Sequence, residues 1–202
     1  MTESRTFLIR RATDDDAPGI LETLSAAFAH YRDRYTREAF LDTVLTLETV
    51  GQRLSDMSLF VAIDETGEIV GTVGCNIVNG EEGHIRGMAV RPKWQAAGVA
   101  THLLNRVESA LRDMKCTRIS LDTTEPLQRA MQLYEKNGFC RSGKVSDFFA
   151  MNVFEYVKVL KVEDPPDRAE SQASHETHLL MKDVLAEGFQ RDRRRALKGS
   201  DG

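Results

Sequence analysis

Residues 95–100 of this 202-residue chain have the composition of a loop that binds phosphate. The segment holds small residues and Gly98, follows a short apolar run at 83–90 and precedes a long helical pattern. Such a loop presents several backbone N–H groups in one direction, and the positive end of the helix dipole adds to their field. The sequence therefore predicts a receptor for a phosphate or pyrophosphate, with no need for side-chain charge.

The apolar periodicity predicts the elements that surround this loop. Strands are expected at 6–10, 59–64, 68–78, 83–90, 117–122, 139–145 and 151–160, with a loop at 146–149 between the last two. Helices are expected at 13–29, from 36 to about 54, 98–115 and 126–136, and a polar connection at 30–35. Capping signals lie at Thr13 and Thr36, and Asn137 with Gly138 forms a stop signal. The order β α α β β β α β α β β predicts an α/β fold with a mixed sheet of about seven strands and helices on both faces.

Composition narrows the function classes. A formal charge of −4 and a pI near 5.8 argue against broad electrostatic binding to nucleic acid or an anionic membrane surface. No stretch approaches the roughly 20 apolar residues of a membrane span, and the N-terminus lacks the apolar core of a signal peptide, so a cytoplasmic location is expected. Cys75, Cys116 and Cys140 lie in apolar strand-like runs and are expected to be reduced packing residues. His175 and His178 lack partners at ligand spacing, and no metal is expected.

The chain is expected to divide into three parts. Residues 1–162 form one domain, 163–177 a polar linker and 178–202 a helical tail. An apolar stripe along 179–189 suits packing or a contact between two copies, so a homodimer is one expectation. The arginines at 193–195 are interpreted as a solvated helix end that complements the helix dipole, not as an RNA site.

Two motifs resemble those of the GCN5-related N-acetyltransferase (GNAT) superfamily. A strand ending in Met88-Ala89-Val90 leads to Gln-x-x-Gly-x-Ala at 95–100, and Leu133-Tyr134-x-x-x-Gly138-Phe139 follows some 35 residues later. The resemblance covers about 6–160 and implies the GNAT fold. It also implies an acyltransferase that moves an acetyl group from acetyl-CoA, its co-substrate, to a primary amine. The acceptor would be a small molecule, an amino acid or a peptide, and the amine would attack directly in a ternary complex.

The resemblance implies how coenzyme A would be bound. The main chain of Met88, Ala89 and Val90 would pair with the pantetheine arm, in a slot where this strand diverges from the strand at 117–122. The pyrophosphate would bind the loop and the start of the following helix. The residues concerned are Gln95, Ala96, Ala97, Gly98, Val99, Ala100 and Thr101. Ala100 stands where Gly is commoner, and Leu127 stands where the family usually has an Asn that contacts the cofactor.

The resemblance also suggests catalytic roles. Tyr134 stands at the family's acid position and would protonate the departing thiolate, while a backbone N–H near Met88 or Ala89 would stabilise the oxyanion. His84 stands where many relatives carry a glutamate base, and strand alternation places it on one face with Arg86 and Met88. Glu82 is the second candidate for the base, and a water chain is the third.

The acceptor is expected to enter between the 30–35 connection and the 146–149 loop. Four side chains there are candidates for binding it: Tyr31, Arg32, Tyr35 and Phe148. The alternative function is a non-catalytic acyl-CoA sensor or an interaction module, for which the loop would suffice. Tyr134 together with the loop favours catalysis.

Overall fold

The computed structural model describes residues 5–160, and a mixed sheet runs through this whole range. The seven strands found there are β1 (Phe7–Arg11), β2 (Ser58–Asp64), β3 (Ile69–Asn79), β4 (Glu82–Val90), β5 (Arg118–Thr124), β6 (Cys140–Phe148) and β7 (Met151–Val159). Their order in the sheet is β1-β2-β3-β4-β5-β7-β6, and only the β4–β5 pair is parallel. The predicted linker at 163–177 and tail at 178–202 lie outside the described residues.

Five α-helices accompany the sheet in the described range: α1 (Ala17–Phe28), α2 (Arg37–Val44), α3 (Leu47–Asp56), α4 (Val99–Asp113) and α5 (Gln128–Lys136). Helix α4 packs on one face through Leu103, Leu104 and Leu111, which join the larger core cluster. Helices α1 and α3 cover the other face, where Ile20, Leu24 and Val50 form a second cluster. The predicted mixed α/β sheet with helices on both faces is thus confirmed.

The single helix expected from 36 to about 54 is wrong, because the chain breaks it at Leu45. Leu45 has a φ of 63°, in the left-handed region that cannot continue a right-handed helix. Thr36 caps α2 by accepting from the Ala39 N–H, and Thr46 caps α3 by accepting from the Thr49 N–H. The apolar periodicity runs through the break, so it gave no sign of it.

The loop expected at 146–149 is also wrong, because β6 continues to Phe148, which pairs with Met151. Only Phe149 and Ala150 are left for the turn, with φ values of 52° and 62°. Two-residue hairpin turns of this sort favour Asn and Gly, so bulky Phe149 gave no turn signal.

The cysteines differ in their surroundings. Cys75 and Cys116 are buried, as expected for packing residues, and burial raises the pKa of Cys75 to about 11. Cys140 is exposed, so its expected packing role is wrong. The reason is its place on β6, the edge strand of the sheet, whose residues 140–147 are all exposed.

Candidate active site

The site begins where the two parallel strands separate. β4 and β5 pair only over Glu82–Arg118 to Ile85–Leu121, although β4 continues to Val90 and β5 to Thr124. On its other side β4 stays paired to β3, with Ala89 opposite Thr72. The main chain of β4 from 86 to 90 therefore has no strand on its β5 side within the described range. This geometry produces an open strand edge facing a slot.

A β-bulge at Gly87 sets the direction of the side chains beside the slot. Arg86 pairs with Gly74 and Ala89 with Thr72, so Gly87 and Met88 together oppose Val73. Gly87 has a φ of 69°, a conformation that favours glycine. The extra residue breaks the alternation, and Met88 packs into the cluster under α4. The expectation that Met88 shares a face with His84 and Arg86 is therefore wrong.

A cavity of about 280 Å³ lies at the mouth of the slot. Its lining residues come from the ends of β4 and β5 and from α2, α3, α5 and β6. Four of the predicted site side chains line it: Tyr35, His84, Tyr134 and Phe148. Met88 borders it as well. The fold thus assembles residues from at least six separate elements around one space.

Tyr134 lies on α5 with only 6% of its surface exposed. Its ring contacts those of Phe139 and Tyr156, at centroid distances of 6.0 and 6.3 Å. Burial raises the pKa of the Tyr134 phenol well above its ordinary value of 10.0, and nearby Tyr35 adds to the rise. The phenol is therefore protonated throughout the physiological range and has a proton available to donate.

His84 is held by two groups on β5. Its Nδ1 lies 3.1 Å from the Ser120 hydroxyl, and its Nε2 lies 4.0 Å from Asp122 Oδ2. Burial lowers the pKa of His84 below its ordinary value of 6.5, although the Asp122 carboxylate opposes the shift. The imidazole is accordingly neutral at neutral pH and able to accept a proton.

Glu82 stands elsewhere, at the start of β4. Its carboxylate lies 3.7 Å from Arg118 Nε, and Glu82 does not line the cavity that contains Tyr134. The structure thus brings His84, but not Glu82, to Tyr134.

The loop before α4 is shaped by two residues in the left-handed region, Ala96 at φ 62° and Gly98 at φ 83°. Gly98 is the N-cap of α4 and no side chain caps the helix there, so the first-turn N–H groups at 99–101 lack a capping partner. The Val99 side chain is buried in the core, which leaves its backbone as the group available for binding. Successive N–H groups in such a loop form a concave anion site. Residues 95–101 lie outside the Tyr134 cavity, beyond the far end of the open β4 edge.

The side chains expected to bind the acceptor fall into two groups. Tyr35 hydrogen-bonds the Thr124 hydroxyl, and it lines the cavity together with Phe148. Thr36 Oγ1 donates to the Phe149 carbonyl oxygen at 2.8 Å, which ties the start of α2 to the β6–β7 turn. Tyr31 instead contacts the His30 ring at a tilt of 41°, and Arg32 lies over the Phe40 ring; neither lines the cavity.

Several lining residues were not predicted from the sequence, among them Asp42, Arg53, Asp122 and Thr123. Asp122 lies beside His84 because His84 pairs with Ser120 in the sheet. The register of that strand pair depends on the tertiary fold and has no local signal in the sequence. Arg53 lies on α3, which the sequence merged with α2. The Thr123 hydroxyl is buried and has no hydrogen-bond partner among residues 5–160, so a polar atom faces the slot unsatisfied.

Residues 5–160 contain neither a metal-binding cluster nor a helix that could span a membrane. No group of three or more His, Cys, Asp or Glu side chains in that range is arranged to hold a metal ion. None of the helices in the same range is long and apolar enough to cross a bilayer.

Solved structures with this fold include three acetyltransferases. A GNAT-family acetyltransferase of Staphylococcus aureus Mu50 is 19% identical, with a TM-score of 0.64 over 77% of this chain and 100% of that one. PaiA N-acetyltransferase of Thermoplasma acidophilum, solved with coenzyme A, is 16% identical, with a TM-score of 0.64 over 77% and 99%. The ribosomal-protein-S18-alanine N-acetyltransferase of Escherichia coli is 15% identical, with a TM-score of 0.64 over 80% and 99%. These similarities establish the fold.

The family follows from the sequence itself. The profile of the acetyltransferase (GNAT) family matches residues 19–139, which span most of α1, the β4 slot, the loop before α4 and Tyr134. That match covers more than half of the chain, and it agrees with the two motifs and with the fold. The chain belongs to the GNAT acetyltransferase family.

Proposed function

We propose that this protein transfers the acetyl group of acetyl-CoA to a primary amine, by direct attack of the amine on the thioester while both are bound. The observation that carries the proposal is the convergence of the Tyr134 phenol and the His84 imidazole on one cavity, at the mouth of the β4–β5 slot. The structural relatives named above include an enzyme solved with coenzyme A and one named for a ribosomal protein, so an amine acceptor is consistent with them.

Coenzyme A would be bound mainly by main-chain groups. The uncapped N–H groups at the start of α4, with the left-handed Ala96 and Gly98 before them, suit a pyrophosphate. The open edge of β4 at 88–90 suits the amide groups of the pantetheine arm, which would add to the sheet as another strand does. Bound in this way, acetyl-CoA supplies an activated acyl group whose carbonyl lies near the bulge.

Two atoms of the thioester gain negative charge during the reaction. The bulge would serve the carbonyl oxygen, and Tyr134 would serve the sulfur. A backbone N–H at Met88 or Ala89 would donate to the carbonyl oxygen as the amine adds. The C–S bond then breaks, and the Tyr134 phenol would donate its proton to the sulfur. Burial keeps that phenol protonated, and the same surroundings raise the proton affinity of a thiolate formed beside it.

His84 would take the proton that the amine loses. Its pKa lies below 6.5, so the neutral form is present at neutral pH without prior deprotonation. Asp122, close to Nε2, would stabilise the imidazolium that forms. Glu82 is less suited, because it pairs with Arg118 away from the cavity; a water chain remains the other route for this proton.

The test combines binding with turnover. Acetyl-CoA should raise the melting temperature, and at least one amine in a broad panel should release free thiol from it. Stabilisation without thiol release from any amine would favour the acyl-CoA sensor. The absence of both stabilisation and thiol release would overturn the proposal. The panel should include amino acids, peptides, polyamines and simple alkylamines.

Tyr134→Phe tests the assigned proton donor. We expect kcat to fall by roughly 10²- to 10⁴-fold, the usual contribution of general acid catalysis, while the Kd for acetyl-CoA stays within about 2-fold. Equal losses in kcat and in acetyl-CoA affinity would contradict the role.

Tyr156→Phe is the matched control. Tyr156 is buried and packs against Tyr134, but its hydroxyl donates to Glu135 and accepts from Arg141 instead of lining the cavity. The substitution should lower stability and leave kcat nearly unchanged.

A further inference from the structure

We propose that the acceptor amine also carries a carboxylate, and that Arg53 binds this carboxylate in the cavity. The acceptor would then be a small amino acid. This inference rests on the proposed function, which it deepens by naming the acceptor class.

Arg53 reaches the cavity from α3 and stands over the β4 bulge. A β-carbon at Gly87 would lie 3.3 Å from Arg53 Nη1, so the guanidinium lies directly against the bulge that the reaction is expected to use. Arg53 lines the same cavity as His84 and Tyr134. A group bound by its planar fork would therefore be held close to the reacting atoms.

Arg53 has no anionic partner among residues 5–160. The nearby Asp42 carboxylate forms its ion pair with Arg86, so these two side chains neutralise each other. Burial and the neighbouring Arg86 lower the pKa of Arg53 to about 10, although the Asp42 carboxylate opposes the shift, and the guanidinium stays charged at neutral pH. A partly buried cation without a partner is costly, and an anionic ligand removes that cost.

Carboxylates on β5 and β6 also line the cavity. Asp122 and Asp147 line it beside the neutral His84, and the β5 end reaches it through Asp122. A ligand with a positive end and a negative end matches this distribution: its ammonium would approach Asp122 and His84, and its carboxylate would approach Arg53. A polyamine would place a second cation against Arg53, and an alkylamine would leave Arg53 unpaired.

The size of the cavity agrees with a small acceptor. Its volume of about 280 Å³ is at the lower limit for ligand pockets in general, and the acetyl group must share the space. A ligand whose carboxylate is only a few bonds from its amine can place the carboxylate at Arg53 and the amine at Asp122 within that volume. An amino acid meets these conditions.

The test compares matched acceptors that differ in the carboxylate: an amino acid, its primary amide and the amine left by its decarboxylation. With the full chain we expect the amino acid to be used at least about 10-fold better in kcat/KM, since a charge-assisted pair is lost in the other two. Arg53→Gln should raise the KM for the amino acid roughly 10- to 100-fold, remove the preference and leave the KM for acetyl-CoA unchanged. Arg53→Lys should restore part of the preference.

Arg112→Gln is the matched control, because the half-exposed Arg112 pairs with the buried Glu108 on α4 and neither residue lines the cavity. It should change neither the preference nor the KM values. Wild-type enzyme that uses the amide or the decarboxylated amine as well as the amino acid would overturn the inference, as would a preference that survives in Arg53→Gln.

A binding measurement separates this inference from the proposed function. In the presence of coenzyme A, amino acids should raise the melting temperature of the wild type but not of Arg53→Gln. If this shift is seen without thiol release, the carboxylate site stands and the acetyltransferase proposal fails. If thiol is released from amines whether or not they carry a carboxylate, the acetyltransferase proposal stands and the carboxylate site fails.

Discussion

At the scale of single residues, the chemistry depends on protonation states that burial sets. Burial favours the neutral form of both groups in the cavity, which means the protonated phenol of Tyr134 and the deprotonated imidazole of His84. One acid and one base are thereby present together at neutral pH. The two shifts have the same cause and give complementary roles.

His84 predicts a specific pH dependence. An amine acceptor of high pKa contributes a slope of about 1 to log kcat/KM against pH, and protonation of the base adds another, giving about 2 at low pH. Because the pKa of His84 is lowered, the change of slope should fall below pH 6.5, the ordinary value. In His84→Gln the change should disappear; its persistence would assign the base elsewhere.

Asp122→Asn provides the matched change. The Asp122 carboxylate raises the pKa of His84 against the effect of burial, so its loss should move the break to still lower pH.

The lowered pKa of His84 also makes the stability of the fold depend on pH. A histidine whose pKa is lower in the folded state contributes stability that is present above the unfolded value near 6.5 and is lost as the pH falls through the folded value.

At the scale of elements, the β4 bulge both orients the backbone and determines which side chains face the cavity. Gly87→Ala introduces a β-carbon at φ 69° and 3.3 Å from Arg53 Nη1. We expect a loss of about 1–2 kcal/mol in the free energy of unfolding from left-handed strain, and a fall in kcat/KM of about 10-fold or more as the bulge shifts. Chemical denaturation and steady-state kinetics measure the two effects.

Gly80→Ala separates strain from function. Gly80 has a φ of 61° in the β3–β4 turn, and a β-carbon there would meet nothing within 4 Å. It should lose similar stability while keeping kcat/KM. If both variants lose activity equally, the bulge has no special role.

The elements also show how far the sequence could lead. Periodicity and caps were enough for seven strands and most helices, because the amphipathic faces of α1 and α4 are local patterns. The break at Leu45 and the turn at Phe149 and Ala150 require left-handed residues that their side chains do not favour, so tertiary packing determines them. The same holds for the site: the family motifs identify Tyr134 and the loop, whereas Arg53 and Asp122 reach the cavity only through helix placement and strand register.

At the scale of the whole molecule, the site divides into two parts that lie on different elements. The start of α4 offers backbone donors, and the cavity beyond the open β4 edge holds the side chains that would carry out the chemistry. Binding of coenzyme A and turnover should therefore respond to different substitutions. Tyr134→Phe is expected to affect kcat alone. A substitution in the loop is expected to raise the KM for acetyl-CoA and leave kcat nearly unchanged.

Gly98→Ala tests the binding part. Gly98 has a φ of 83° as the N-cap of α4, so the substitution should cost about 1 kcal/mol of stability and turn the first-turn N–H groups away from the pyrophosphate. We expect the KM for acetyl-CoA to rise by about 10-fold, with kcat at saturation nearly unchanged. Gly67→Ala, at φ 87° in the β2–β3 turn with no neighbour within 4 Å, should lose the same stability without the rise in KM. A fall in kcat for Gly98→Ala at saturating acetyl-CoA would mean that the loop also positions the thioester, and that the two parts of the site act as one.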